Sequence, residues 1–75
     1  MKKVSTIAVC STGDTWDVCQ WDKSGNDVDE PIWCQTKADA MKLARQLFNA
    51  ADNPFRLIVE SKGACEFRVV RERNA

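Results

Sequence analysis

Acidic side chains are the residues of this chain with the clearest potential for chemistry. Six of them fall between positions 14 and 30, opposed by Lys23 alone, so this segment carries a net charge of −5. The rest of the chain carries +5, because 11 acidic and 11 basic residues cancel overall. The six acidic residues are Asp14, Asp17, Asp22, Asp27, Asp29 and Glu30.

Carboxylates in close pairs can act as general acid and base, or they can supply oxygen ligands to a calcium ion. Nothing in the sequence marks a pocket around Asp14, Asp17 and Asp22, and nearby acids are common on protein surfaces. Asp27 and Asp29 have suitable oxygens but lack the spacing and the closing glutamate of an EF-hand loop. We therefore predict a non-enzymatic protein with no catalytic residues, no metal site and no cofactor.

The chain has no histidine, which removes Ser-His and Cys-His nucleophiles, histidine bases and histidine-containing metal sites. No two cysteines form a C-x-x-C motif, and each lies in a strand-like stretch. We predict buried free thiols in a reducing cytoplasm, with two disulfides or a four-cysteine zinc site as alternatives. The four cysteines are Cys10, Cys19, Cys34 and Cys65.

The elements that position these groups follow from hydrophobic periodicity. In 15–22, alternation puts Trp16 and Val18 on one face of a strand and Asp17, Cys19 and Trp21 on the other. Pro31 predicts an edge strand with an irregular start, and the last four residues are expected to fray. The predicted strands are 3–10, 15–22, 28–34, 55–60 and 65–71. The apolar run in the first predicted strand is too short for a secretory signal. No apolar run in the sequence is long enough for a membrane span.

One amphipathic helix is predicted from Thr36 to about Ala51. Thr36 and Asp39 form a capping-box-like start, and Pro54 marks the stop. Its apolar stripe is Ala40, Leu43, Ala44, Leu47, Phe48 and Ala51.

The order of elements is therefore βββ-α-ββ. We predict a single α+β domain over residues 1–75, a small antiparallel sheet with the helix packed on one face and the other face open. The predicted core is Ile7, Val9, Trp16, Val18, Ile32, Leu43, Ala44, Leu47, Phe48, Leu57, Val59, Phe67 and Val69.

Three short motifs follow one another along the chain: Trp16-x-Val18, Thr36-Lys37-x-x-Ala40, and Leu57-Ile58-Val59 with a turn at Gly63. Together they resemble a family of small bacterial and phage domains of unknown function, over roughly residues 15–70. The resemblance implies the sheet-and-helix fold and brings no catalytic residues. The insertion that carries Asp27, Asp29, Glu30 and Pro31 departs from the compact second hairpin of that family.

A concentrated acidic segment repels nucleic acid and attracts basic protein surfaces, which are typically nucleic-acid grooves. Trp21 and Trp33 lie beside it, and tryptophan is enriched at the centres of protein interfaces. The six acids with Trp21 and Trp33 are therefore the predicted partner-binding residues. In kind, such a protein is similar to the small anti-CRISPR inhibitors of phages. The plainer alternative is a solvated loop, with the tryptophans folded back over the sheet.

A basic group of residues gives a second hypothesis, a nucleic-acid-binding module. Arg56 and Arg68 are expected to share the open sheet face, although the aromatic triad of sheet-platform RNA binders is missing. Cross-strand pairing with Glu60 and Glu66 is the alternative. The basic residues are Arg56, Arg68, Arg71 and Arg73. A third hypothesis is a structural homodimer formed through an edge strand or the open face.

Overall fold

Two consecutive strands, β1 (Thr6–Thr12) and β2 (Thr15–Trp21), form the central hairpin of the fold. The computed structural model describes residues 3–50, 56–60 and 66–73. Thr12 pairs with Thr15 across a two-residue turn, where Gly13 has a φ of 73°. Glycine suits this position because two-residue hairpins need a positive φ that other residues adopt at a cost.

The hairpin is the middle of a five-stranded sheet in the order β3-β2-β1-β4-β5. β3 (Ile32–Cys34) pairs antiparallel with β2 at one edge, and β5 (Phe67–Glu72) pairs antiparallel with β4 (Arg56–Glu60) at the other. The predicted α+β class and the βββ-α-ββ order are confirmed.

One pairing in the sheet is parallel, that of β4 with β1. β3 runs in the same direction as β1, and the helix that follows carries the chain back across the sheet. β4 therefore enters in the direction of β1, and the sheet is mixed rather than wholly antiparallel.

The helix α1 spans Lys37–Ala50. The backbone N–H of Asp39 donates to the Thr36 hydroxyl oxygen at 3.1 Å, which confirms the predicted N-cap. Ala40 and Ala44 are fully buried, so small side chains let the helix lie close to the sheet. The predicted end, from Ala51 to Pro54, lies outside the described residues.

The core forms between α1 and one face of the sheet. Trp16 and Val18 point into it, as their alternation predicts, while Lys37 Nζ lies 5.5 Å from the centre of the Trp16 ring. Leu43 and Leu47 are only partly buried against this core. The buried core residues are Ile7, Val9, Trp16, Val18, Cys34, Ala40, Ala44, Phe48, Leu57 and Val59.

The predicted facing of β5 is wrong. Phe67 and Val69, expected in the core, are 46% and 50% exposed and lie opposite Glu60 and Ile58 on the face without a helix. Because the strand register shifts at Leu57/Ile58, Val70 packs against the core in place of Val69. Val69 and Val70 are adjacent and both apolar, so alternation alone does not decide which of them faces inward. Ile32, also expected in the core, is 39% exposed because its strand is the sheet edge.

Candidate protein-binding surface

The face of the sheet opposite α1, called here the helix-free face, has its own aromatic contact. Trp21 on β2 and Phe67 on β5 meet edge to face, with ring centroids 6.0 Å apart. Two strands, β1 and β4, separate them in the sheet, so both side chains must lean across it. This accounts for the complete burial of Ala8, whose small side chain lies between them on β1. The alternative in which Trp21 folds back over the sheet is the one that this contact supports.

The turn after β2 is held by Asp22. Its Oδ1 accepts hydrogen bonds from the backbone N–H of Ser24 at 2.9 Å and of Asn26 at 3.0 Å. The Gly25 N–H donates to the Asp22 carbonyl oxygen at 3.0 Å, with a φ of 88° at Gly25. One carboxylate that the sequence suggested for partner binding is thus engaged in building the turn.

Beyond this turn the chain follows β2 back along the edge of the sheet. Asp27 forms a bridge with Trp21, and the Val28 N–H donates to the Gln20 carbonyl oxygen at 2.9 Å. Regular pairing resumes only at Ile32, after Pro31. The predicted edge strand with an irregular start is confirmed, and it leaves Asp27, Asp29 and Glu30 exposed.

Among the large apolar side chains that the structure describes, Trp33 is the most exposed, at 62%. It lies directly opposite Asp17, so both residues belong to the helix-free face at the β3 edge. We call Asp17, Asp27, Asp29, Glu30 and Trp33 the acidic edge. An aromatic ring beside a carboxylate can contact the stem of a lysine or arginine while the acid meets its charge.

Asp14 lies at the opposite end of β2 from Asp27. It is in the turn before β2, while Asp27 is bridged to Trp21 at the end of that strand. Seven residues of extended chain span roughly 23 Å, so Asp14 and Asp27 cannot contact one small group together. The structure places Asp17 opposite Trp33, and Asp27, Asp29 and Glu30 are exposed on the segment that precedes β3.

The described cysteines are free, as predicted, and Cys65 lies outside the described residues. Cys34 faces the core, where burial raises the pKa of its thiol. Cys10 and Cys19 lie on the helix-free face with their Sγ atoms 3.6 Å apart. Burial and the contact with Cys19 raise the pKa of Cys10 to about 12. Burial also raises the pKa of Cys19.

The basic residues are divided among different surroundings. Arg56 Nε lies 3.4 Å from a Glu72 carboxylate oxygen, so Arg56 forms a cross-strand ion pair with Glu72. Arg68 lies opposite Val59, which faces the helix side of the sheet, so the expected sharing of the open face by Arg56 and Arg68 is wrong. The β-bulge that turns Val70 towards the core also places Arg56 and Arg68 on opposite faces of the sheet.

Arg73, which follows β5 and was expected to fray, contacts the helix, whereas residues 74 and 75 lie outside the described residues. Its Nη2 donates to the Phe48 carbonyl oxygen at 2.6 Å, and its guanidinium lies 4.1 Å from the centre of the Phe48 ring. A cation at this point also suits the negative end of the helix dipole. Nothing in the local sequence pairs residue 73 with residue 48, so only the tertiary fold reveals this contact.

We expect Arg73→Ala to lower the free energy of unfolding by about 1–2 kcal/mol, because it removes a charge-assisted hydrogen bond and a cation–π contact together. Arg71→Ala is the matched control, since Arg71 is exposed. It should change stability by less than about 0.5 kcal/mol. Urea denaturation followed by tryptophan fluorescence measures both. Equal effects of the two substitutions would contradict a stabilising role for Arg73.

Comparison with known protein families, curated proteins and solved structures gave no match to this chain. Residues 3–50, 56–60 and 66–73 enclose no pocket. In the same residues, no three cysteine or acidic side chains are grouped as a metal site requires. No helix within these ranges is long and apolar enough to cross a membrane.

Proposed function

We propose that this protein acts by binding a basic surface of another protein through its acidic edge. The observation that carries the proposal is the position of Trp33, which is 62% exposed and lies directly opposite Asp17 on the edge strand. Leaving a large ring in water has no benefit for folding, whereas tryptophan at the centre of an interface contributes strongly to binding.

Charge gives the partner its chemistry. Asp27, Asp29 and Glu30 are all exposed, and the segment from 14 to 30 has a net charge of −5. Such a surface attracts lysine and arginine side chains and repels phosphates. The partner that fits is a protein with a lysine- and arginine-rich groove of the kind that holds DNA or RNA. Its occupation by this chain would inhibit nucleic-acid binding, as a small anti-CRISPR-type inhibitor from a phage does.

The free thiols of Cys10, Cys19 and Cys34 support a reducing, cytoplasmic compartment for this activity. The proposed site is non-enzymatic, since it needs only charge and an apolar anchor. It differs from the sequence-based site in two ways. Asp22 is assigned to the turn, and Asp14 and Trp21 are assigned outside the contact.

A titration with an oligo-arginine peptide tests the charge part of the proposal. We expect Asp27→Asn with Asp29→Asn to weaken binding by about tenfold at low ionic strength, because each lost charge pair contributes of the order of 0.5–1 kcal/mol. Raising the salt concentration should reduce the difference, since these charges are exposed. Fluorescence anisotropy of a labelled peptide gives the dissociation constants.

The matched control removes the same charge elsewhere. Asp14 and Glu66 are also exposed; Asp14 lies at the opposite end of β2 from Asp27, and Glu66 precedes β5 at the other edge of the sheet. Asp14→Asn with Glu66→Gln should therefore leave peptide affinity within about twofold. If both double variants weaken binding equally, the peptide responds to net charge only and the acidic edge is not a site.

Nucleic-acid binding through the arginines is the weaker alternative. Arg56 and Arg73 contact Glu72 and Phe48 within the chain, which leaves Arg68 and Arg71 as the exposed pair. A gel shift with single-stranded and double-stranded DNA and RNA at low salt distinguishes the two proposals. The acidic-edge proposal expects no shifted band.

A homodimer is supported by a different observation. Phe67 and Val69 at the β5 edge are about half exposed on the same face as Trp33. Sedimentation velocity of the chain alone reports self-association, and a concentration-dependent increase that Val69→Lys removes would favour the dimer.

A further inference from the structure

Two thiols lie in contact on the helix-free face. Cys10 on β1 and Cys19 on β2 have their Sγ atoms 3.6 Å apart. Cys19 lies opposite Ala8 and Cys10 lies opposite Asp17, so the two cysteines are diagonal neighbours on adjacent strands. A disulfide bond is about 2.05 Å long, so the sulfur atoms need to approach by only about 1.5 Å. Diagonal neighbours lie about 7–8 Å apart, slightly more than the usual Cα separation in a disulfide, so bond formation requires side-chain rotation together with a small approach of the two strands.

We propose that Cys10 and Cys19 form a reversible disulfide by exchange with a small-molecule disulfide of the glutathione class. One cysteine thiolate attacks the glutathione disulfide and releases the first glutathione thiolate. The second cysteine thiolate then attacks the protein sulfur of the mixed disulfide and releases the second. Two protein thiols are oxidised and one glutathione disulfide is reduced to two thiols, while the two protons lost from the cysteines pass to the leaving thiolates or to solvent.

The exposures of the two cysteines suggest the order of attack. Cys10 is half-buried and Cys19 is buried, so Cys10 is the residue that an external disulfide reaches first. Cys19 is then the resolving thiol, already in contact with the sulfur that it must attack. Cys34 faces the core on the opposite side of the sheet and cannot compete for either sulfur.

The surroundings make this exchange slow at neutral pH. Burial raises the pKa of Cys10 to about 12, aided by Cys19 and by the carboxylates of Glu60 and Asp17. Burial raises the pKa of Cys19 as well, with Asp17, Asp27 and Glu60 contributing. The thiolate is the attacking species. As long as the pH stays below the thiol pKa, the rate of exchange should therefore rise about tenfold for each unit by which the pH is raised.

The disulfide would join β1 to β2 on the face that carries the Trp21–Phe67 contact, with Cys10 opposite Asp17 of the acidic edge. It closes a loop of ten residues around the Gly13 turn, and such a crosslink restricts the unfolded chain. This inference is independent of the proposed function, since it requires no partner and no contribution from Trp33.

The experiment uses a Cys34→Ser, Cys65→Ser variant, which retains only the proposed pair. The folded protein is equilibrated with glutathione buffers of increasing oxidised fraction at mildly alkaline pH, quenched with acid, alkylated and weighed by mass spectrometry. We expect a species that has lost two hydrogen atoms, carries no glutathione and resists alkylation at both cysteines. It should also unfold at a higher urea concentration than the reduced form.

A further Cys19→Ser substitution is the control, and it should stop the reaction at a glutathione adduct on Cys10. The proposal is overturned if the Cys34→Ser, Cys65→Ser variant itself accumulates a stable glutathione adduct. It is also overturned if both remaining cysteines are still alkylated after equilibration in the most oxidising buffer. Should the serine substitutions prevent folding, the same buffers are applied to the unaltered chain. Proteolytic fragments must then show a Cys10–Cys19 crosslink, and a different pairing or no crosslink contradicts the assignment.

Discussion

Replacing Phe48 with alanine is expected to lower the free energy of unfolding by about 3–5 kcal/mol. Phe48 is buried in the core between α1 and the sheet, and the Arg73 guanidinium packs on its ring. A chain of this length has a total stability of only about 4–11 kcal/mol. We therefore expect the substitution to remove a large part of the total stability and to lower the urea midpoint strongly, as followed by far-ultraviolet circular dichroism.

Leu47→Ala is the control for this effect. Leu47 is adjacent in sequence but only partly buried against the same core, so less apolar area is lost. Its cost should be about half that of Phe48→Ala, since stability loss follows the apolar surface removed. A loss below about 1 kcal/mol for Phe48→Ala would show that the helix is not held to the sheet at this residue.

Replacing Trp33 with alanine is expected to weaken binding to a basic partner by about 10–30-fold, as measured with the oligo-arginine peptide. The ring offers an apolar and cation–π contact to arginine side chains that the acids alone cannot supply. Stability should change by less than about 0.5 kcal/mol, because most of the ring is in solvent.

Ile32→Ala is the matched substitution for Trp33. Ile32 is the preceding residue of the same strand, but it lies opposite Val18 and so faces the helix side of the sheet. Its removal should leave peptide affinity unchanged within about twofold. Equal losses for the two variants, or full affinity for Trp33→Ala, would remove Trp33 from the proposed site.

Features set by neighbours in sequence could be predicted. Thr36 and Asp39 define the start of α1, alternation assigns the faces of β2, and Pro31 marks the irregular edge strand. Each depends on residues a few positions apart, so local physical chemistry is sufficient. The role of Asp22 could also have been recognised, because Asp22-Lys23-Ser24-Gly25 is typical of a turn in which an aspartate accepts backbone hydrogen bonds.

Features set by distant pairings could not be predicted. The facing of Phe67 depends on the bulge opposite Leu57/Ile58, and the Trp21–Phe67 contact needs the strand order of the whole sheet. The bond from Arg73 to Phe48 likewise joins residues far apart in sequence. For the site, the charge pattern identified the acidic segment, but only the course of the chain along β2 places Asp14 and Asp27 at opposite ends of that strand.

The most direct test of the proposed function is the location of a bound basic ligand on the chain. Isotope-labelled protein is titrated with the oligo-arginine peptide, and backbone amide shifts are followed by heteronuclear NMR. We expect the largest shifts at Asp17 and residues 27–33, with little change at residues 66–73. Small shifts spread evenly over all acidic residues, or the largest shifts on β5, would contradict the proposed function.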